Sequence, residues 1–117
     1  RSTPLYSSAA SDVYKRQILG SINSEGHIVV DAGAAAALRA HGRSLLPAGI
    51  AMVSGSFDRG ETVEIHDPQG GRVAVGSTNY SSDELGRIRG LHSDRIADTL
   101  GYAYGDEVIH RDNMVLL

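Results

Sequence analysis

The stretch from Asp31 to Val53 constrains the fold of this chain more than any other part of the sequence. Asp31 is a suitable N-cap, because its carboxylate can accept hydrogen bonds from the free N–H groups of a first helical turn. The alanine run after it has the highest helix propensity and little bulk, which predicts a helix that packs closely on its neighbours. Gly42 can adopt the left-handed conformation that ends a helix. A connection containing proline and glycine then leads into Ile50–Val53, which predicts a strand.

The flanking sequence predicts more short strands. His27–Val30 is rich in β-formers and follows a polar segment, Ser21–Gly26, that we expect to be a turn. Residues 62–66 and 72–75 alternate polar and apolar side chains on either side of Asp67–Gly71. The proline and glycines of that segment predict the turn of a β-hairpin. The apolar C-terminal residues are expected to pair as a last strand.

Two further helices and one core residue are predicted between these strands. Ser81 and Glu84 have the spacing of a capping box, which predicts a second helix. Ser93 is expected to cap a third, short helix that ends at Gly101. Phe57 is the single phenylalanine and is expected to fill the core from a loop. The pattern indicates a mixed, mainly β, small barrel of five to six short strands, with two to three short helices in the connections.

Composition sets limits on function. The 117 residues suffice for one domain, and the chain has no cysteine, which excludes disulfides and thiolate metal sites. No apolar run approaches the roughly 18 residues of a membrane helix, so no membrane partner is expected. Residues 1–17 hold three of the 11 basic and one of the 14 acidic side chains, which leaves 8 basic against 13 acidic, or −5. A general nucleic-acid binder usually has the opposite balance.

Residues 1–17 differ from the rest of the chain, with clustered serines and no clean helical or strand period. We interpret them as a foreign or disordered leader, and we expect the domain to occupy residues 18–117. On this interpretation the chain is an N-terminally truncated fragment of a longer protein.

Several motifs, in order and spacing, resemble the PUA domain at the C-terminus of glutamate 5-kinase (gamma-glutamyl kinase). The resemblance covers Ile18 to Leu117. The motifs are Gly33-Ala34, Gly42-Arg43-Ser44-Leu45-Leu46-Pro47-Ala48-Gly49-Ile50, Gly55-Ser56-Phe57-Asp58-Arg59-Gly60, Asn79-Tyr80-Ser81-Ser82, Leu100-Gly101-Tyr102 and Val108-Ile109-His110-Arg111-Asp112-Asn113-Met114-Val115-Leu116-Leu117.

The resemblance implies a PUA-like pseudo-barrel and a non-catalytic, regulatory role. The parent enzyme transfers the ATP γ-phosphate to the side-chain carboxylate of glutamate, the first step of proline synthesis in the cytoplasm. Its amino-acid-kinase domain, with the implied ATP and Mg²⁺ sites, is missing from this chain and would be its partner. This chain itself is expected to hold no cofactor.

The residues themselves predict no catalytic or metal site in this chain. No Walker motif is present. His110–Asn113 looks like part of a protein-kinase catalytic loop, but its asparagine follows too soon and the other kinase motifs are absent. The five histidines never occur at a metal-binding spacing along the sequence, so each is expected to be a surface or strand residue.

RNA binding is the alternative function. The resemblance implies that the first helix and the loop after it would contact RNA, where arginines could pair with phosphate. The candidate residues are Arg39, Gly42, Arg43, Ser44, Leu45, Pro47 and Gly49. The competing interpretation is that cations near a helix C-terminus simply complement the helix dipole. A second basic group is expected to be a solvated helix face and comprises Arg87, Arg89, His92 and Arg95.

Overall fold

The computed structural model describes residues 22–117, so the leader predicted at residues 1–17 and the domain start at Ile18 lie outside the described residues. The elements in chain order are β1 (Ile22–Val30), α1 (Ala32–His41), β2 (Ile50–Ser54), β3 (Thr62–His66), β4 (Arg72–Ser77), α2 (Ser82–Ile88), α3 (Ile96–Leu100) and β5 (Met114–Leu116). Short 3-10 turns occupy Pro47–Gly49, Ser93–Arg95 and Arg111–Asn113.

The five strands form one mixed sheet in the order β2-β1-β3-β4-β5. β1 and β3 are parallel, and the other three neighbouring pairs are antiparallel. The sheet stays open with β2 and β5 at its edges, while a single bridge between Leu45 and Ile109 joins the loop after α1 to the segment before β5. The predicted mainly β pseudo-barrel with short helices in its connections is therefore confirmed.

The caps of α1 are those that the sequence predicts. The Asp31 carboxylate accepts from the N–H of Ala34 at 2.7 Å, and Gly42 ends the helix with φ of 57°. The small residues of the helix also serve packing. A Cβ atom at Gly49 would lie 2.7 Å from the Cβ of Ala34, so a glycine is needed where the loop crosses the helix.

Two local predictions are wrong. The segment expected to be a polar turn is strand from Ile22 onward, because β1 extends to pair with the start of β3 at Thr62. The 3-10 turn Ser93–Arg95, which leads into α3, is capped by His92 rather than by Ser93. The His92 ring accepts from the N–H of Asp94. The hairpin, the capping box of α2 and the terminal strand are confirmed.

The core lies between the inner face of the sheet and the three helices. Phe57 is buried there, as predicted, and Tyr80 is the largest fully buried side chain. The other fully buried large residues are Ile28, Leu38, Leu45, Ile65, Leu85, Ile88, Ile96, Ile109, Val30, Val63 and Val73. In the chain from residue 22 onward, no helix is both long and apolar enough to cross a bilayer.

Gly76 and Gly86 give a matched test of packing. A Cβ atom at Gly76 would lie 2.9 Å from the Asn113 carbonyl oxygen and 3.2 Å from Met114 Cα, whereas the space at Gly86 is open. We expect Gly76→Ala to lower the free energy of unfolding by about 1–3 kcal/mol, because it overpacks the β4–β5 contact. Gly86→Ala, inside α2, should raise it by about 0.5–1 kcal/mol. Urea unfolding measures both, and effects of the same sign would contradict the packing argument.

Glu84 provides a pH-dependent test of the capping box. Burial acts to raise the pKa of Glu84, but hydrogen bonds from the Tyr102 hydroxyl and from Ser81 outweigh it and lower the pKa below its ordinary value. A lowered folded-state pKa adds stability above the unfolded-state pKa, and this stability is lost as pH falls through the folded-state value.

We therefore expect Tyr102→Phe to raise the pKa of Glu84 and to reduce the loss of stability on acidification. Carboxyl NMR titration of Glu84 and urea midpoints at several pH values measure the two effects. Tyr104→Phe is the control, because it leaves the hydrogen bond between Tyr102 and Glu84 in place. An unchanged Glu84 pKa in Tyr102→Phe would refute the assignment.

Candidate functional site

The loop after α1 borders a largely apolar cavity of about 320 Å³. Four of the predicted RNA-binding residues line it: Arg43, Ser44, Leu45 and Gly49. The remaining lining residues are Asp31, Ala34, Ala37, Leu38, Leu46 and Ala48. The cavity exists because the alanine face of α1 is too small to fill the space beneath the loop.

Arg39 lies apart from this cavity and already has a partner. Its guanidinium donates to the Asp67 carboxylate at 3.0 Å, which ties the end of α1 to the β3–β4 hairpin turn. The Gly71 N–H, and after it the Arg39 guanidinium and the Gln69 N–H, lower the pKa of Asp67 despite some desolvation. Arg39 thus has a structural role that the sequence does not reveal, because Asp67 is 28 residues away.

Arg43 differs from Arg39 in pairing, although both arginines are exposed. Its side chain is exposed, and among residues 22–117 its guanidinium makes no hydrogen bond or ion pair. It lines the apolar cavity and also a wider, more polar groove of about 660 Å³ beside it. Arg43 is therefore the predicted candidate best placed to contact an anionic ligand.

The groove brings together residues that are distant in sequence. His41, Arg43, Ser44 and Leu46 come from the end of α1 and its loop, and Glu107, His110 and Arg111 come from the segment before β5. The bridge between Leu45 and Ile109 aligns the two segments, and the Arg111 N–H donates to Ser44 Oγ at 2.9 Å. The result is a groove with more basic than acidic side chains on its walls.

His110 and Arg111 are site residues that the sequence prediction missed. The sequence predicts no RNA-binding role for them, since their stretch is only part of the terminal motif of the glutamate 5-kinase resemblance and a partial match to a kinase catalytic loop. The approach of Leu45 to Ile109 brings them to Arg43, and no local motif encodes that contact. The adjacent apolar residues Val108 and Ile109 were the available signal, since a short apolar run indicates a segment that is buried against another.

The other predicted residues shape the loop. Gly42 is the left-handed C-cap, whose N–H donates to Leu38. Leu45 is buried, and Pro47 opens the 3-10 turn while its carbonyl accepts from the Gly90 N–H. The Gly49 carbonyl accepts from the Asp31 N–H at 2.9 Å. These residues position the loop, and their side chains offer no polar group to a ligand.

The second basic group is largely occupied by contacts within the protein. Arg87 donates to the Thr99 carbonyl and Arg89 to the Ala51 carbonyl. The His92 ring accepts from the Asp94 N–H, and Arg95 pairs with Asp98. These side chains therefore have contacts within the protein at its surface, as expected for a solvated helix face.

An exposed aromatic surface lies on the loop after α3. Tyr102 and Tyr104 have ring centroids 5.2 Å apart, and each is 41% exposed. The Arg59 guanidinium carbon lies 3.5 Å above the Tyr104 ring. The Tyr80 hydroxyl holds this loop, since it accepts from the Tyr104 N–H and donates to the Gly105 carbonyl. We call Arg59, Tyr102 and Tyr104 the aromatic patch.

One further cluster offers metal-ligating atoms. Single ligand atoms of His27, Glu64 and His66 lie within 4.8 Å of one another. The spacing of residues along the sequence did not predict this cluster, because His27 belongs to β1 and the other two residues belong to β3.

Comparisons with known proteins agree with this architecture. Residues 26–100 match the family model of the PUA domain. Over 103 residues the chain is 56% identical to a glutamate 5-kinase of Citrifermentans bemidjiense and 50% identical to one of Deinococcus radiodurans. Each match covers 88% of this chain, which spans about 28% of the length of those relatives. The resemblance to the C-terminal region of glutamate 5-kinases is confirmed.

Solved structures give the same fold. A PUA domain from Aeropyrum pernix K1, determined as a tartrate complex, is similar with a TM-score of 0.54 and 29% identity, covering 74% of this chain and 41% of that one. A chain of the archaeal box H/ACA sRNP Nop10–Cbf5 complex has a TM-score of 0.50 and 27% identity, covering 54% of this chain and 20% of that one. With the family match over residues 26–100, these findings show that the chain belongs to the PUA domain family.

Proposed function

We propose that this chain is the non-catalytic, regulatory domain of a glutamate 5-kinase, occupying residues 18–117 and working in the cytoplasm. The observation that carries the proposal is the 56% identity over 103 residues to a glutamate 5-kinase. In such an enzyme the amino-acid-kinase domain would bind ATP, Mg²⁺ and glutamate. The PUA domain would act by docking on that kinase domain.

The aromatic patch is the surface best suited to this docking. Tyrosine and arginine are enriched at the energetically important centres of protein interfaces, where rigid rings bury a large area at low entropic cost. Tyr102 and Tyr104 contact each other, and Arg59 covers the Tyr104 ring, so the patch is continuous and already ordered. Hydrogen bonds of Tyr80 to this loop hold it in place before a partner arrives.

The test is a titration of this chain with a glutamate 5-kinase domain that lacks its own matching C-terminal region. We expect saturable binding by calorimetry, together with a change in glutamate phosphorylation or in its inhibition by proline. Tyr104→Ser should weaken binding at least about tenfold, which corresponds to roughly 1.4 kcal/mol. The serine keeps the backbone N–H that bonds Tyr80, so the loop should retain its conformation.

Met52→Ser is the matched control, because Met52 is 57% exposed but lies on the edge strand β2, outside the patch. Equal weakening by both variants would reject the patch as the docking surface. Absence of binding, with no change in activity or inhibition, would reject the regulatory proposal itself.

RNA binding is the second candidate function, and the groove beside Arg43 supports it. The groove places two exposed arginines, Arg43 and Arg111, and two histidines, His41 and His110, around one concave surface. Arginine pairs well with phosphate through its planar fork of donors. The adjoining apolar cavity could receive a base while the arginines contact the backbone. The overall charge of −5 after residue 17 opposes binding, but a local basic groove acts over short distances.

Arg43→Ala should weaken binding to a short structured RNA and reduce the dependence of log affinity on log salt by about one unit, because one phosphate contact is lost. Arg111→Ala should act in the same way. Arg39→Ala should have less effect on affinity, since Arg39 is bound to Asp67. Arg95→Ala is the control, because Arg95 is an exposed arginine on the 3-10 turn Ser93–Arg95 and does not line the groove.

Gel-shift assays at about 50 and 200 mM salt measure these effects. No binding at the lower salt concentration, or equal losses in Arg43→Ala and Arg95→Ala, would reject the groove as an RNA site.

A further inference from the structure

We propose that His27, Glu64 and His66 form a binding site for a divalent transition metal, with Zn²⁺ as the best fit. Two imidazole nitrogens and one carboxylate oxygen make up the ligand set of many open zinc sites, in which water or a partner occupies the fourth position. Such nitrogen-rich ligation suits zinc, copper and nickel and disfavours magnesium and calcium, which prefer oxygen. The site would be independent of the groove and the aromatic patch.

The strand register creates the cluster. In the parallel pair, His27 lies opposite Glu64, and Val29 lies opposite His66. Side chains two residues apart on a strand share a face, so Glu64 and His66 project from the same side of β3. The alternate residues, including Ile28 and Ile65, face the core. The three ligand side chains therefore occupy the outer face, where a metal could reach them.

The distances are close to those that a metal would impose. The Glu64 Oε1 atom lies 2.8 Å from His66 Nε2 and 3.9 Å from His27 Nε2. In a tetrahedral zinc site with bonds of about 2.1 Å, neighbouring ligand atoms are separated by about 3.4 Å. The two contacts of Glu64 would each change by roughly half an ångström, and the two histidine nitrogens, which lie within 4.8 Å of each other, would be brought together by side-chain rotation.

His27 has unused ligand capacity. At 3.9 Å its Nε2 is too far from Glu64 for a hydrogen bond, and within residues 22–117 the ring makes no hydrogen bond. The His27 and His66 rings meet edge to face, with centroids 4.8 Å apart. The two imidazoles thus lie close together, with the Glu64 carboxylate near both. Among the described residues, no side chain is hydrogen-bonded to the His27 nitrogen.

Glu64 already directs one oxygen at the histidines, because its Oε1 lies 2.8 Å from His66 Nε2, within hydrogen-bond distance. Arg72 lies on the neighbouring strand β4, and its guanidinium is 3.6 Å from Glu64 Oε2, which makes a loose ion pair rather than a hydrogen bond. The Glu64 side chain is 16% exposed and that of His66 21%, so the ligands are partly shielded from water. The positive charge of Arg72 also limits how tightly a cation binds.

Metal binding would join β1 to β3 across their parallel pairing. A ligand that binds only the folded state stabilises it, so Zn²⁺ should raise the midpoint of thermal unfolding in a concentration-dependent way. This readout does not depend on any enzymatic activity.

The experiment is a calorimetric titration of the tag-free, 117-residue chain with ZnCl₂ at neutral pH, with MgCl₂ as the comparison. We expect one Zn²⁺ per chain and no saturable Mg²⁺ binding. His27→Gln, Glu64→Gln and His66→Gln should each weaken Zn²⁺ binding at least tenfold and remove the zinc-dependent rise of the unfolding midpoint. With Co²⁺ in place of zinc, the unaltered chain should give the intense visible absorption of a four-coordinate site.

His110→Gln is the matched control, because His110 also lies near two carboxylates, 3.8 Å from Glu107 and 3.5 Å from Asp112. It should leave the Zn²⁺ affinity unchanged. Loss of binding in His110→Gln but not in His27→Gln would overturn the assignment. Binding of Mg²⁺ as tightly as Zn²⁺, or no saturable Zn²⁺ binding by a chain whose folding is verified by circular dichroism, would also overturn it.

Discussion

The parallel pairing of β1 with β3 is the interaction on which the rest of the structure depends. β1 is hydrogen-bonded on both sides, to β2 and to β3, and its core-facing residues Ile28 and Val30 are fully buried. A parallel neighbour cannot follow through a tight turn, so the chain must cross over before β3 begins. That crossover contains α1, the loop after α1 and β2. The apolar cavity and one wall of the groove are thus consequences of a topological requirement at the centre of the sheet.

Close packing of small residues makes this crossover possible. The Cβ of Ala34 leaves no room for a side chain at Gly49, so helix and loop approach backbone to backbone. The same small faces leave a cavity beneath the loop, since alanine does not fill the space that a larger residue would occupy. Packing of the helix and formation of a possible binding cavity therefore have one physical origin. Arg43, at the rim, adds the charge that could make the cavity selective for an anion.

The arginines at positions 39, 43, 59 and 72 differ in what their charge contacts. Arg39 is neutralised by Asp67 and joins α1 to the hairpin, whereas Arg43 has no such partner among the described residues. Arg59 covers a tyrosine ring, and Arg72 makes a loose ion pair with the Glu64 carboxylate. A count of charged residues treats these side chains as equal. Their capacity to bind a ligand depends on which acceptor lies within reach, and that is a property of the folded chain.

The sequence alone determined the family and part of the local structure: the caps at Asp31 and Gly42, the hairpin and the motifs shared with glutamate 5-kinases. The caps and the hairpin turn depend on neighbouring residues, so local propensities are sufficient for them, whereas the extension of β1 to Ile22 depends on its pairing with β3. Only the tertiary structure decided which side chains meet. It paired Arg39 with Asp67, brought Arg111 to Arg43, and placed His27 beside Glu64 and His66. These contacts join residues far apart in the chain, and they form only when strand register and loop packing fix their relative positions.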